Sequence, residues 1–250
     1  MSASKEHVVR LLLPRLHPRP LLTFRLCKRP NHMRSLTVPI GIGWIFGIIL
    51  SAATLVAGQS SRVENNTFIS SQDPDIRVEV NRQLKYVGSV PFRIDNIAGG
   101  NRYIFVRATP DKHIQQMFII QQEAFFPSSN DTYKYSITHP SKLGDFEYQH
   151  TVILDDYNAT VREAPGKEAD LTQQFLKAQG YILEPETIMS RFARPVGSQH
   201  KHEIIFFCHE NLSGYGHKLA DFVEGTDTPE KQSIKNKVDE NCRNTFHVNP

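Results

Sequence analysis

Residues 146–154 read FEYQHTVIL, and their alternation decides the fold class. Phe146, Tyr148, His150, Val152 and Leu154 fall on one face of an extended strand. Glu147, Gln149 and Thr151 fall on the other, with Ile153 breaking the pattern. Successive side chains of a strand point to opposite faces, so this is the signature of a sheet packed on one side and wetted on the other. Antiparallel sheets take that arrangement, whereas parallel sheets bury both faces.

On the N-terminal side of this segment the chain reads as further strands. Tyr86–Ile94 is broken by Gly88 and Pro91 and is expected at an edge or a bulge. A turn over Asn96–Asn101, containing Gly99-Gly100, leads into a strand over Arg102–Thr109. Ile114–Phe126 is a long strand stopped by Pro127, and Tyr133–Thr138 is read as another.

On the C-terminal side helices enter. Glu168–Gln179 carries acids at its start, Lys177 near its end and Gly180 as its stop, with Leu171, Phe175 and Ala178 as a narrow apolar stripe. Strands are expected over Ile188–Arg194 and Lys201–Glu210, then a short helix over Lys218–Glu224. A last helix starts at the N-cap Thr228, with Pro229 in the first turn and Ile234, Val238 and Cys242 on one face. Strands in a run with helices late predict an α+β domain over residues 76–248. Its largely antiparallel sheet is expected to be covered on one face by two or three helices.

Before this domain the sequence changes character. Residues 1–35 form a basic leader with eight Lys or Arg and one acid up to Arg34, a charge of +7. The whole chain carries +3, so everything after Arg34 is mildly acidic at −4. The body has no basic stripe interleaved with aromatics, and a nucleic-acid partner is not expected.

Residues 36–58, LTVPIGIGWIFGIILSAATLVAG, contain no charge and are long enough to cross a hydrocarbon core of roughly 30 Å. The positive charge before this run places the N-terminus in the cytoplasm and the body outside. Three readings fit: a retained signal anchor, a secretory signal cleaved near Gly58 (with Met33 as an alternative start), and a mitochondrial presequence followed by a span. The prolines at 14, 18, 20 and 30 oppose the amphipathic helix that the third requires. Residues 59–75, QSSRVENNTFISSQDPD, are polar and turn-rich and read as a tether. The expected localisation is a single-pass membrane protein with its C-terminal domain extracytoplasmic, or a secreted one if the signal is cleaved.

Past the apolar run only Cys208 and Cys242 remain, a pair consistent with one disulfide in an oxidising compartment or with two free buried thiols. Asn65, Asn130, Asn158 and Asn211 head N-x-S/T sequons, candidate glycosylation sites in a eukaryotic host.

Residues suited to chemistry are scattered. His200 and His202 project from one strand face about 7 Å apart, and Cys208 shares the face of His202, a candidate metal set lacking a recognised ligand spacing. Gln121 and Glu123 share a face with Met117 and Ile119, and His150 sits in the apolar face of its own strand. If those faces meet, Glu123 and His150 form an acid–base couple. Arg107, one of an Arg-rich face with Arg93, Arg102, Arg191 and Arg194, is a candidate ligand for an anion or carboxylate.

G-x-S-x-G, P-loop, H-E-x-x-H, paired C-x-x-C and G-x-G-x-x-G motifs are all missing from the sequence, and no cofactor is implied. The expectation is a non-enzymatic domain that binds a partner or a small apolar ligand between sheet and helices. The alternative is a metal-dependent or acid–base enzyme using the His200–His209 stretch or Glu123 with His150.

Overall fold

The structure is a computed structural model and describes residues 61–71, 73–223 and 228–249. The leader and the apolar run over residues 36–58 lie outside the described residues. Among the described residues no helix is long and apolar enough to cross a membrane.

The chain opens with a hairpin of β1 (Arg62–Glu64) and β2 (Thr67–Ser71), followed by β3 (Asp75–Val80). These strands occupy most of the segment expected as a tether. That expectation is corrected: β2 is short and largely polar, but its Phe68 is fully buried. β3 alternates strictly, with Ile76, Val78 and Val80 buried and the residues between them exposed.

A second sheet follows. Its strands are β4 (Lys85–Ile94), β5 (Ala98–Ala108), β6 (Ile114–Phe125), β7 (Pro140–Leu143), β8 (Phe146–Asp156), β9 (Glu186–Val196) and β10 (His202–Asn211). Their order in space is β4-β5-β6-β10-β9-β8-β7, antiparallel throughout, so two meanders meet where β6 pairs with β10. The last strand, β11 (Phe246–Asn249), returns to the first sheet and pairs with β3, giving the order β1-β2-β3-β11.

The fold is therefore α+β and β-rich, as the alternation at 146–154 predicts, but with two antiparallel sheets instead of one. The smaller sheet lies on the face of the larger that carries Phe105, Phe118, Phe192 and Phe206, all fully buried together with Phe68 and Val78. The Phe246 ring stacks on Phe118 with centroids 4.6 Å apart and locks β11 onto the centre of the larger sheet. Each such buried side chain contributes roughly 1.5–3 kcal/mol relative to exposure.

Helices occupy both faces, a correction to the expected single covered face. On the face away from the smaller sheet, α1 (Tyr157–Glu163) and α2 (Glu168–Ala178) bury Tyr157 and Leu176 against Ile104, Met117 and Ile119. The Asp156 carboxylate caps α1 by accepting from the Ala159 N–H at 3.0 Å. The packed side of α2 is turned from the predicted stripe: Thr172 and Leu176 are buried, Leu171 and Phe175 half-buried, and Ala178 exposed.

On the other face α3 (Leu219–Val223) and α4 (Pro229–Arg243) join Ile188 and Leu212 in a third cluster through Phe222, Ile234 and Val238. Thr228 caps α4 through its hydroxyl, which accepts from the Lys231 N–H at 3.3 Å. Cys242 of α4 and Cys208 of β10 face one another at disulfide distance with Cα atoms 5.6 Å apart, a geometry compatible with the predicted bond.

Two further expectations change. Residues 133–138 form no ladder; they belong to an irregular crossing from β6 to β7. The turn placed at Asn96–Asn101 is shorter, because β5 already begins at Ala98. Gly100 lies inside that strand, where a Cβ would collide with the Gln122 carbonyl oxygen, so the Gly-Gly pair serves close backbone approach and not the turn.

Candidate functional site

The register of β6, β10, β9 and β8 fixes which side chains can meet. Glu123 lies directly opposite Glu203, and His150 opposite Phe192, which in turn faces Phe206. Glu203 and Phe206 differ by an odd number of positions on one strand, so Glu123 and His150 stand on opposite faces of the sheet. The expected acid–base couple does not form. Arg107 shares the His150 face but sits four strands away, about 19 Å at normal strand spacing. The three candidate ligand residues therefore do not converge.

The metal candidates fare alike. His200 precedes β10 with φ +50°, and Cys208 lies six residues beyond His202, roughly 20 Å along the strand. Its sulfur is already at disulfide distance from Cys242. Among the described residues no group of three or more His, Cys, Asp or Glu is placed to hold a metal ion. Of the sequon asparagines, Asn65, Asn130 and Asn158 are exposed, while the Asn211 amide donates to the Ile114 carbonyl at 2.6 Å.

What His150 does meet is Asp239 of α4, at 2.7 Å from Nε2, and Ser190 of β9, at 3.1 Å from the same nitrogen. The Ser190 hydroxyl itself donates to Asp239 at 2.7 Å. Ser, His and Asp are all present, but a nucleophilic triad needs the acid on one ring nitrogen and the hydroxyl on the other. Here one nitrogen serves both and the serine proton is engaged by the aspartate. Burial alone would raise the Asp239 pKa; hydrogen bonds from His150 and Ser190, with Arg243 nearby, hold it down at about 2. The cluster pins α4 to the sheet.

On the opposite face Glu123 and Glu203 form a buried carboxylate pair. Glu123 accepts from Gln121 at 2.6 Å and from the Tyr133 hydroxyl at 2.6 Å, and Glu203 accepts from Tyr135 at 2.5 Å. Burial and the facing Glu123 push Glu203 up to about 7, against the pull of Tyr135 and Arg191. Burial and the same carboxylates raise both phenols well above their ordinary value, so they remain donors. The pair thus fastens the irregular crossing over residues 127–139 to the sheet. Three rows along, His209 is buried between Tyr157 and Phe207, and burial drives its pKa down to about 3.

Among the described residues two buried side-chain hydroxyls lack a partner, Thr151 on the glutamate face and Tyr148 on the sandwich face. Where the two sheets part at one end, a groove of about 190 Å³ lies between Asp73–Ile76 of the smaller sheet and β8, β9 and β10 of the larger. Phe146, Tyr148, Arg194, Val196, Gly197 and Ile204 complete its wall. Tyr148 is fully buried with its ring 5.4 Å from Phe206; the Arg194 guanidinium is close enough to act on its hydroxyl, but no described group meets that hydroxyl in hydrogen-bond geometry. Burial pushes that hydroxyl up to about 12, with Arg194 pulling the other way.

The Arg194 guanidinium lies 4.2 Å over the Phe146 ring and makes no ion pair among the described residues. Tyr148 was legible only as an apolar-face residue, and Arg194 only as one of several scattered arginines. The signal that joins them is strand register. Comparison of this chain with protein-family models, curated proteins and solved structures gives no match in any of the three.

Proposed function

We propose that this chain is a membrane-tethered or secreted extracytoplasmic domain that acts by binding, and that its ligand is a small molecule seated in the groove between the sheets. The observation that carries the reading is the Tyr148 hydroxyl, buried at the groove wall with no partner. A buried polar group left unsatisfied costs roughly 1–3 kcal/mol, a cost that a bound ligand offering an acceptor removes. The space first expected to hold a ligand, between sheet and helices, is filled by Ile104, Met117, Ile119, Tyr157 and Leu176.

Extracytoplasmic placement draws its support from the uncharged run over residues 36–58 behind a leader of charge +7. The disulfide-distance cysteines and three exposed sequon asparagines agree with it. Residues 36–58 are the membrane partner in this reading, and nucleic acid is no partner.

Native mass spectrometry on the full chain, purified from its own host in mild detergent, tests both parts. One small adduct per chain is expected, and a denatured mass either retaining residues 36–58 or beginning near Gln59. Protein that carries no adduct, and whose melting point is indifferent to a panel of ring-sized molecules, would sink the binding reading. Glycan-free protein recovered wholly from the cytoplasm would sink the placement.

A further inference from the structure

We infer that the groove takes a small monocarboxylate, its head met by the Tyr148 hydroxyl and the Arg194 guanidinium and its body by the apolar wall. This rests on the groove being the binding site proposed above.

The Tyr148 and Arg194 side chains on this wall can both donate. The Tyr148 phenol keeps its proton throughout the physiological range, because burial raises its pKa. A guanidinium has five N–H donors and no acceptor. A phenol and a guanidinium side by side, one without a partner and the other without an ion pair, call for a group with two acceptor oxygens and one negative charge. The Phe146 ring lies 4.2 Å from the Arg194 guanidinium and holds it at this wall of the groove.

Size limits the body. An apolar cavity of about 150 Å³ holds a benzene ring, and pockets for drug-sized ligands begin at roughly 300 Å³. A groove of about 190 Å³ therefore suits a ring or a five- to six-carbon chain, held by Ile76, Val196 and Ile204.

Charge limits the head. Asp73 and Asp75 also line the groove and are exposed, with the Asp73 carboxylate reaching Gly197 of the opposite wall, whereas Tyr148 is fully buried. A single negative charge is the most that these acids leave room for beside Arg194. A phosphate or a dicarboxylate brings a second charge toward them and is disfavoured.

The test uses the full chain in a neutral sugar-headed detergent, with phenylacetate, phenylacetamide and phenyl phosphate as probes, read by melting point and titration calorimetry. Phenylacetate should bind at least tenfold more tightly than either of the others. Arg194→Gln should cost phenylacetate at least tenfold and leave phenylacetamide unchanged. Tyr148→Phe should raise the melting point of the empty protein while weakening phenylacetate, a pairing that a purely structural tyrosine would not give.

Equal binding of acid and amide, or indifference to Arg194→Gln, overturns the monocarboxylate assignment while the groove stands as a binding site. Tighter binding of phenyl phosphate overturns it in favour of a more highly charged head. Failure of every probe to bind the wild-type chain removes the groove reading along with it.

Discussion

Two sets of buried polar side chains occupy opposite faces of the larger sheet, and they differ in one respect. Every hydrogen-bonding group described in the Glu123–Glu203 set has a partner: Gln121 and Tyr133 on one carboxylate, Tyr135 on the other. In the groove, Tyr148 is as deeply buried and has none. A satisfied network stiffens the fold and has little left to offer a ligand, whereas an unsatisfied hydroxyl at a groove wall carries a cost that a bound acceptor would relieve. In the reading proposed above, the glutamate pair is architecture and the groove is the binding site, even though acids more readily suggest chemistry than a lone tyrosine does.

The largest effect is expected at the strand that serves both sets. Phe206→Ala should destabilise by about 3–5 kcal/mol in urea titration, since a fully buried ring at the centre of the sandwich is lost. A loss below about 1 kcal/mol would mean that the two faces do not share a rigid centre. Reducing the Cys208–Cys242 pair should cost about 3–4 kcal/mol for a closed loop of 34 residues, and an unchanged melting curve under reductant would show free thiols.

The sharpest test removes one phenolic oxygen from each set. Tyr133→Phe leaves a buried carboxylate oxygen without its donor and should cost about 1.5–3 kcal/mol. Tyr148→Phe removes an oxygen that has no partner and should stabilise by about 1 kcal/mol. The same sign at both positions would break the comparison.

A pH series sharpens it further. Glu203, raised from 4.5 to about 7, adds stability that is complete below its unfolded value and gone once the pH has risen through 7. His209, lowered from 6.5 to about 3, adds stability that is present above 6.5 and lost as the pH falls toward 3. Between 4.5 and 6.5 the two slopes oppose and cancel, so stability is nearly flat there. Glu203→Gln should uncover the histidine slope, a rise with pH of up to about 1.4 kcal/mol per unit over that window. A flat curve in Glu203→Gln would show that the two groups do not titrate as their burial implies.

The strands that build the larger sheet were legible where burial leaves a long or alternating apolar record, as in β6, β8 and β10. β1 and β2 were not, because only Phe68 and Thr67 of the hairpin strands, with Ser70, are buried and the rest of their composition is that of a linker. Residues 133–138, read as a strand, carry alternating tyrosines but form no ladder. Their hydroxyls, not their backbone, make the connection to the sheet. The covering helices were found, but α2 is turned because Thr172, polar in composition, is buried where Arg102 donates to its hydroxyl at 3.2 Å.

Of the site, Glu123 stood out as a polar residue among apolar neighbours. Its true partner, Glu203, depends on a register between strands some eighty residues apart, which no local pattern records. The cysteine pair was legible by count alone.

The smaller sheet is closed by the pairing of Phe246 with Val80, a contact between residues 166 positions apart. During synthesis at about 5–20 residues per second, β3 therefore waits roughly ten to thirty seconds for β11. Through that interval its edge, with Ile76 and Val78 beside it, has no neighbour to pair with and is open to any other extended chain. A holdase that covers residues 75–80 would protect this edge until the last strand is made.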